Sequence, residues 1–350
     1  GLMLTHPINA KLFYDKLSND ISFSTLDERH ALSGPVINDI EQDIRGFIWI
    51  ATQDGLNKYD GQKITHYLPD PEDENSLPGG WIVDIFSDSE GNLWIAGDSG
   101  ISLYIPEIDG FYNYIDPKEH GLIQGLEFRV ISQVQQDRIW FGTKQGGIAV
   151  FDIPTSKFVE IINTKSGLQS NIIWDIAVDD EQNIFIATEG AGLLYRAFGN
   201  DKFTTFISPS DSKLPTEKIR SILIDQQKRV WIGSVNSGLI LLDPINGTQE
   251  NFESSIDDPF SICSNSINDI FQDSEGYIYF ATDNGLCEWV EKSSSFIRYI
   301  HSDSNSASLL DDRVVTLFQD HGGVLWVGTH VGISKWNRSV NSFQLVNSKT

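Results

Sequence analysis

Seven copies of one aromatic-bearing hairpin, recurring every 45 to 48 residues and each closed by a glycine, predict an all-β chain. The predicted architecture is a seven-bladed β-propeller with four antiparallel strands, A to D, in every blade. The anchors are Trp49, Trp94, Trp140, Phe185, Trp231, Tyr279 and Trp326, separated successively by 45, 46, 45, 46, 48 and 47 residues. A length of 350 residues suits one large all-β domain, and 40% hydrophobic content with 11% aromatics supplies a core.

Strand A opens each unit as an apolar stretch, such as "VINDI" (Val36 to Ile40) or "SINDIF" (Ser266 to Phe271). An Asp-x-x-Gly turn follows. Its aspartate accepts backbone N–H bonds, and Gly46, Gly91, Gly276 and Gly323 supply the positive φ. Those aspartates are therefore turn residues, not catalytic ones. The third unit reads as having lost about three residues from this turn, and the fourth shows Gln182 where the glycine belongs.

Strand B carries the aromatic anchor, and a second turn closes on Gly55, Gly100, Gly147, Gly192, Gly238, Gly285 or Gly332. Strand C follows, often with an aromatic four residues on, as at Tyr59, Tyr104, Phe151, Trp289 and Trp336. Strand D is read from segments such as "KITHYL" and "SFIRYI". One blade cannot bury both of its faces, so the anchors leave water only when neighbours stack on them, each then contributing about 2–3 kcal/mol. Five of the nine tryptophans are anchors, and Trp289 and Trp336 are expected to join them in the core.

The ends of the chain compete for one position. "ISFSTL" (Ile21 to Leu26) reads as a D strand preceding the first A strand, and it is predicted to complete the last blade. The rival is "SFQLV" (Ser342 to Val346). Residues 1–20 are then a leader, 21–346 the propeller, and 347–350 a tail leading to a following domain.

A formal charge of −24 disfavours nucleic acid, because such binding draws on cationic neutralisation of phosphates, and it disfavours anionic membrane surfaces. No apolar run reaches eighteen residues, so no membrane contact by this fragment is expected. Cys263 and Cys287 cannot define a disulfide framework and are taken as free thiols. The seven histidines show no zinc-hydrolase spacing, no G-x-S-x-G elbow is present, and no cofactor is implied.

The motifs "EGNLWIAGDSGISLY" and "GGVLWVGTHVGISKW" resemble the two-component regulator propeller family over about residues 21 to 346. Linkers such as "DPEDENSL" and "HSDSNSASLL" resemble that family's D-to-A connections. The resemblance implies a periplasmic sensor region of a bacterial membrane receptor that feeds a kinase or cyclase output domain. Its partners would be a small-molecule or glycan ligand and the adjacent domains of the same receptor. It supplies no shared binding motif, so candidate residues rest on physical reasoning.

The D–A connections are long and share a face with the B–C tips, which makes that face the candidate binding surface. Trp81 follows "LPGG" where other blades place Val36, Val130, Ile172, Lys218, Ser266 and Arg313. It is a candidate to stack on a ligand; packing beneath its own loop is the alternative. Trp174 is a second candidate, with burial between blades as the plainer expectation. Arg129, Lys144, Lys218, Arg220 and Arg313 are cations around the mouth that fit a carboxylate or sulfate, or else neutralise nearby acids. Glu189 and His330 stand at B–C tips and would seed a propeller lyase, a reading ranked below both a ligand receptor and a protein-binding scaffold. Asp39, Asp84, Asp175 and Asp269 share one strand-A position. They are expected to bond N–H groups of the next blade, with a calcium-like site as the alternative.

Overall fold

In the computed structural model, residues 21–27, 32–114, 126–206, 214–243 and 248–338 are described. Seven four-stranded antiparallel sheets form the molecule, each pairing A with B, B with C and C with D. In the first blade these strands are Ile37–Gln42, Ile48–Thr52, Gly55–Tyr59 and Ile64–Tyr67. Apart from Arg138, which opens that of the third blade, every residue of the described B strands is buried, as their apolar runs demand when blades cover both faces.

Seven apolar clusters account for the core, each joining two successive blades. All seven anchors are buried, and so are Trp289 and Trp336. The turn aspartate does more than cap its turn. In the first blade, one oxygen of Asp43 accepts the N–H groups of Arg45 and Phe47, and the other accepts the Trp49 indole N–H at 2.9 Å. The same bond ties Trp94 to Asp88, Trp231 to Asp225 and Trp326 to Asp320. The anchor's one polar atom is thereby satisfied in the core.

The ring closes as expected. Ser24–Asp27 is strand D of the last blade, pairing with Gly332–Trp336 in the register Ser24 to Lys335 and Leu26 to Ile333. Across the seam, Thr316 donates to Asp39, and the His321 N–H donates to the Gln42 side chain at 2.8 Å. The rival segment Ser342 to Val346, the leader and the tail lie outside the described residues.

Three expectations are corrected. Cys263 and Cys287 are bridged, not free: the D–A connection brings Cys263 over strand C of the sixth blade, where the Cα atoms stand 6.0 Å apart. The third blade has lost nothing from its A–B turn. Gln133 pairs with Ile139 as Gln42 pairs with Ile48, and a bulge tightens the five intervening residues into a longer hairpin. The position equivalent to Trp81 in that blade is consequently Glu127, and Val130 stands at the position of Asp39. Besides the third blade, whose A–B turn holds no glycine, the fifth joins the fourth in closing this turn without one: Gln182 and Lys228 take φ values of 65° and 64° there.

Candidate functional site

Strand A is irregular at the same place in all seven blades. A register shift separates Ile37 from Asp39, and the equivalent shift recurs as far as Val314 and Thr316. The unpaired residue of each bulge lines a funnel on the propeller axis. A bulge frees one residue from the ladder and re-aims its side chain, so the repeat itself builds a ring of seven pocket positions. They are Asn38 and Asn268, Val83 and Val315, and, in three consecutive blades, Arg129, Trp174 and Arg220.

One residue deeper lies the ring of Asp39, Asp84, Asp175 and Asp269, interrupted by Val130, Ser221 and Thr316. Each aspartate accepts the backbone N–H of a residue in the next blade: Ile85, Ile131, Ile222 and Leu317 respectively. Asp175 and Asp269 also accept their own neighbours' N–H groups, at Ile176 and Ile270. These carboxyls are stitches between blades. Burial raises the pKa of Asp39 and Asp175 to about 6 and of Asp269 to about 7. Burial, with repulsion from Asp39, holds Asp84 well above the ordinary range. Among the described residues, no group of three or more His, Cys, Asp or Glu is arranged to hold a metal ion.

At the rim, five blades tie a B–C tip to the entrance of strand A. The N–H groups of Asp98, Lys144, Glu189, Val235 and His330 donate to the carbonyls of Trp81, Glu127, Ile172, Lys218 and Arg313. D–A and B–C connections therefore share the funnel face, as the loop lengths imply. Glycine at position 79 permits a close approach here, because a Cβ would stand 2.7 Å from the Ser99 Cβ on the facing tip. That close approach sets the path by which Trp81 reaches the rim, where it is 53% exposed.

The funnel has a volume of about 760 Å³, and it brings together six of the nine candidate residues: Trp81, Arg129, Trp174, Arg220, Arg313 and His330. Lys144, Lys218 and Glu189 are not among its lining. Lys144 pairs with Glu127 at 2.8 Å and Lys218 with Glu189 at 3.3 Å, both on the surface. The two groups that would seed a lyase, His330 and Glu189, are thus not both in the funnel.

Trp174 departs from its plainer expectation by facing the funnel half-buried. The Arg129 guanidinium lies 3.6 Å from the centre of its ring and the Arg220 guanidinium 4.9 Å. Asn268 accepts a hydrogen bond from Arg220. Burial lowers the pKa of Arg129, with Glu189 opposing and Arg220 adding to the fall. Burial lowers that of Arg220 too, against Asp283 and Glu189. Sequence reasoning named these three residues separately and missed that they share one tier. Reading the residue before the aspartate position at each repeat would have aligned them, had Val130 not been assigned to the wrong tier.

Smaller clefts lie between blades on the opposite face. One of about 660 Å³ sits beside Phe185, where an anchor without an indole N–H leaves Asp179 to the side chain of Asn183 instead. It draws on three neighbouring blades, whereas the funnel collects residues from all seven.

The match to known proteins follows this repeat. Residues 76–99, 213–236, 261–284 and 308–330 match the model of the two component regulator propeller family. Each segment runs from a D–A connection to a B–C tip. Two extracellular domains of putative hybrid two component systems from B. thetaiotaomicron superpose with TM-scores of 0.76 and 0.74 at 26% and 25% identity. Both superpositions cover 90% of this chain but only 42% and 39% of those domains, so the chain spans about two-fifths of their length. A segment of 55 residues is 46% identical to histidine kinase P4 of Formosa agariphila, covering 16% of this chain and 4% of that kinase.

Proposed function

We propose that this chain, four of whose blades match the two component regulator propeller model, is the ligand-sensing module of a bacterial transmembrane receptor. The module lies on the periplasmic side and binds a small molecule or glycan in the axial funnel. Binding is passed to a cytoplasmic output domain. The repeats are those of a regulator family, and this fragment acts by binding rather than by catalysis.

The observation behind this reading is the funnel itself. Seven bulges, one per blade, turn side chains toward one concavity on the face that carries the long connections. A rigid scaffold presenting convergent polar groups and exposed aromatic surface is the usual form of a ligand site. The Cys263–Cys287 bridge supports an extracytoplasmic position, since disulfides persist in oxidising compartments. The extracellular domains with the same fold support it independently. A scaffold that binds only other protein domains would be better served by a flat mouth than by a funnel of this depth.

Thermal-shift screening of saccharides, organic acids and peptides tests the proposal, because a ligand bound only by the folded ring raises its Tm. The hit should lose its shift in Trp81→Ala and Arg313→Ala while the unliganded Tm stays within a few degrees. A ligand whose shift survives both substitutions binds elsewhere, and the funnel assignment fails.

A further inference from the structure

Among the charged groups of this acidic chain, Arg129 and Arg220 stand apart. Most cations with a described ion pair hold a carboxylate within 3.3 Å: Lys58 holds Asp109, Lys144 holds Glu127, and Arg229 and Arg338 hold acids on the sixth blade. With 49 acidic residues against 25 basic ones, acceptors are abundant. Yet neither Arg129 nor Arg220 has an ion pair among the described residues, although Glu189 influences both electrostatically. Glu189 is committed to Lys218.

Two donors in this cluster are also orphaned. Nη1 of Arg129 and Nε1 of Trp174 are both buried with no hydrogen-bond partner among the described residues. Leaving a buried donor unsatisfied costs about 1–3 kcal/mol; the other two such donors among the described residues, Trp336 Nε1 and Arg338 Nε, lie outside the funnel, so within it this pair alone is left for a ligand to satisfy. Both belong to side chains that a strand-A bulge aims into the funnel. Arg220 is held in place from its far side by Asn268, which in turn donates to Asp283.

We propose that Arg129, Trp174 and Arg220 form a recognition centre for a carboxylate, so that the ligand of the funnel is an organic acid. This rests on the reading of the funnel as a ligand site. A carboxylate offers two coplanar acceptor oxygens, which matches the forked donors of a guanidinium and leaves an oxygen for the adjacent indole N–H. Its single charge leaves one positive charge over from the two arginines, which faces the aspartate tier below. A multiply charged phosphate is the poorer fit, because the next tier down holds Asp84 and Asp175. The body of the ligand would extend toward the rim, where Trp81 presents an exposed aromatic face.

The test uses fluorine NMR of the purified chain with matched probes: 4-fluorobenzoate and trifluoroacetate against 4-fluorobenzamide and trifluoroethanol. The carboxylates should broaden at least tenfold more strongly than their neutral partners. Arg129→Gln with Arg220→Gln should abolish that preference, and the Lys pair, which keeps charge but loses the fork, should restore it only in part. Circular dichroism melts of each variant verify that the ring persists.

Equal broadening by charged and neutral probes, or none by either carboxylate, overturns the proposal. A neutral screening hit that depends on Trp81 and Arg313 while the carboxylates fail to bind overturns only the carboxylate assignment and leaves the funnel reading standing. A carboxylate preference that survives the double exchange places the acid site outside this cluster, and the proposal fails.

Discussion

The aromatic anchors of strand B and the bulged residues of strand A occur once per blade at the same period, yet they behave in opposite ways. Six of the seven anchors are Trp or Phe, the seventh is Tyr, and all are buried. The bulge tier is Asn, Val, Arg, Trp, Arg, Asn and Val, and it faces an open funnel. Inter-blade packing leaves an anchor little choice, because only a large flat side chain fills the gap and, as indole, reaches the turn aspartate. The bulge holds its backbone irregularity whatever side chain it carries. Freed from packing, that tier records binding chemistry rather than folding.

The contrast is tested most severely by truncating an anchor. Trp231→Ala should cost about 3–5 kcal/mol in denaturant unfolding, since Trp231 is fully buried and its indole donates to Asp225. A loss below 1 kcal/mol would mean that the blades do not depend on their anchors. Removal of the bridge by Cys263→Ser with Cys287→Ser should come next. With a sequence separation of 24 between the cysteines, the expected loss is about 3 kcal/mol, and reductant should mimic it in the parent but not in the variant.

The carboxyl ring predicts an unusual pH dependence. A carboxyl whose pKa is higher in the fold than in the unfolded chain binds more protons when folded. Its contribution is therefore fullest below its ordinary value of 3.8 and is lost as pH rises through about 6 for Asp39 and Asp175 and about 7 for Asp269. Glu41, pushed up to about 8 by burial and by Asp39, acts in the same direction. Taking the protein from pH 7.5 to 5.5 should raise Tm by roughly 2–4 °C, and Asp39→Asn with Asp175→Asn should flatten the profile. A Tm that falls on acidification would contradict this assignment.

Smaller effects are expected at the turns. Gln182→Gly and Lys228→Gly should each stabilise the ring by about 1 kcal/mol, because both positions hold left-handed backbone at a cost that glycine avoids. The smallest loss should follow Arg129→Gln, which destabilises the unliganded ring by no more than about 0.5 kcal/mol. Should that substitution instead unfold the ring, the bulge tier would be a packing element and its contrast with the anchors would disappear.

Much of this molecule was legible in the amino-acid order because its repeat is enforced by packing. The blade count, the strand sequence, the N-terminal strand closing the last blade, and the aspartates bonding across blades all follow from side-chain size, turn chemistry and the cost of a bare buried carboxylate. The funnel face was legible from loop length. Its chemistry was only half legible: Arg129, Trp174 and Arg220 stood out as residue types that break the repeat, but not as neighbours.

What the sequence alone determined was thus the period and everything that the period must bury. Tertiary structure decided the register of the third blade, where a bulge absorbs what looked like a deletion, and the pairing of two cysteines 24 residues apart. It also decided which cations meet acids and which meet an indole. The physical reason is range. Burial and turn preferences act on each residue locally and repeat with the chain, whereas a bulge, a bridge and a cluster on the axis depend on how separate blades are brought to a common centre.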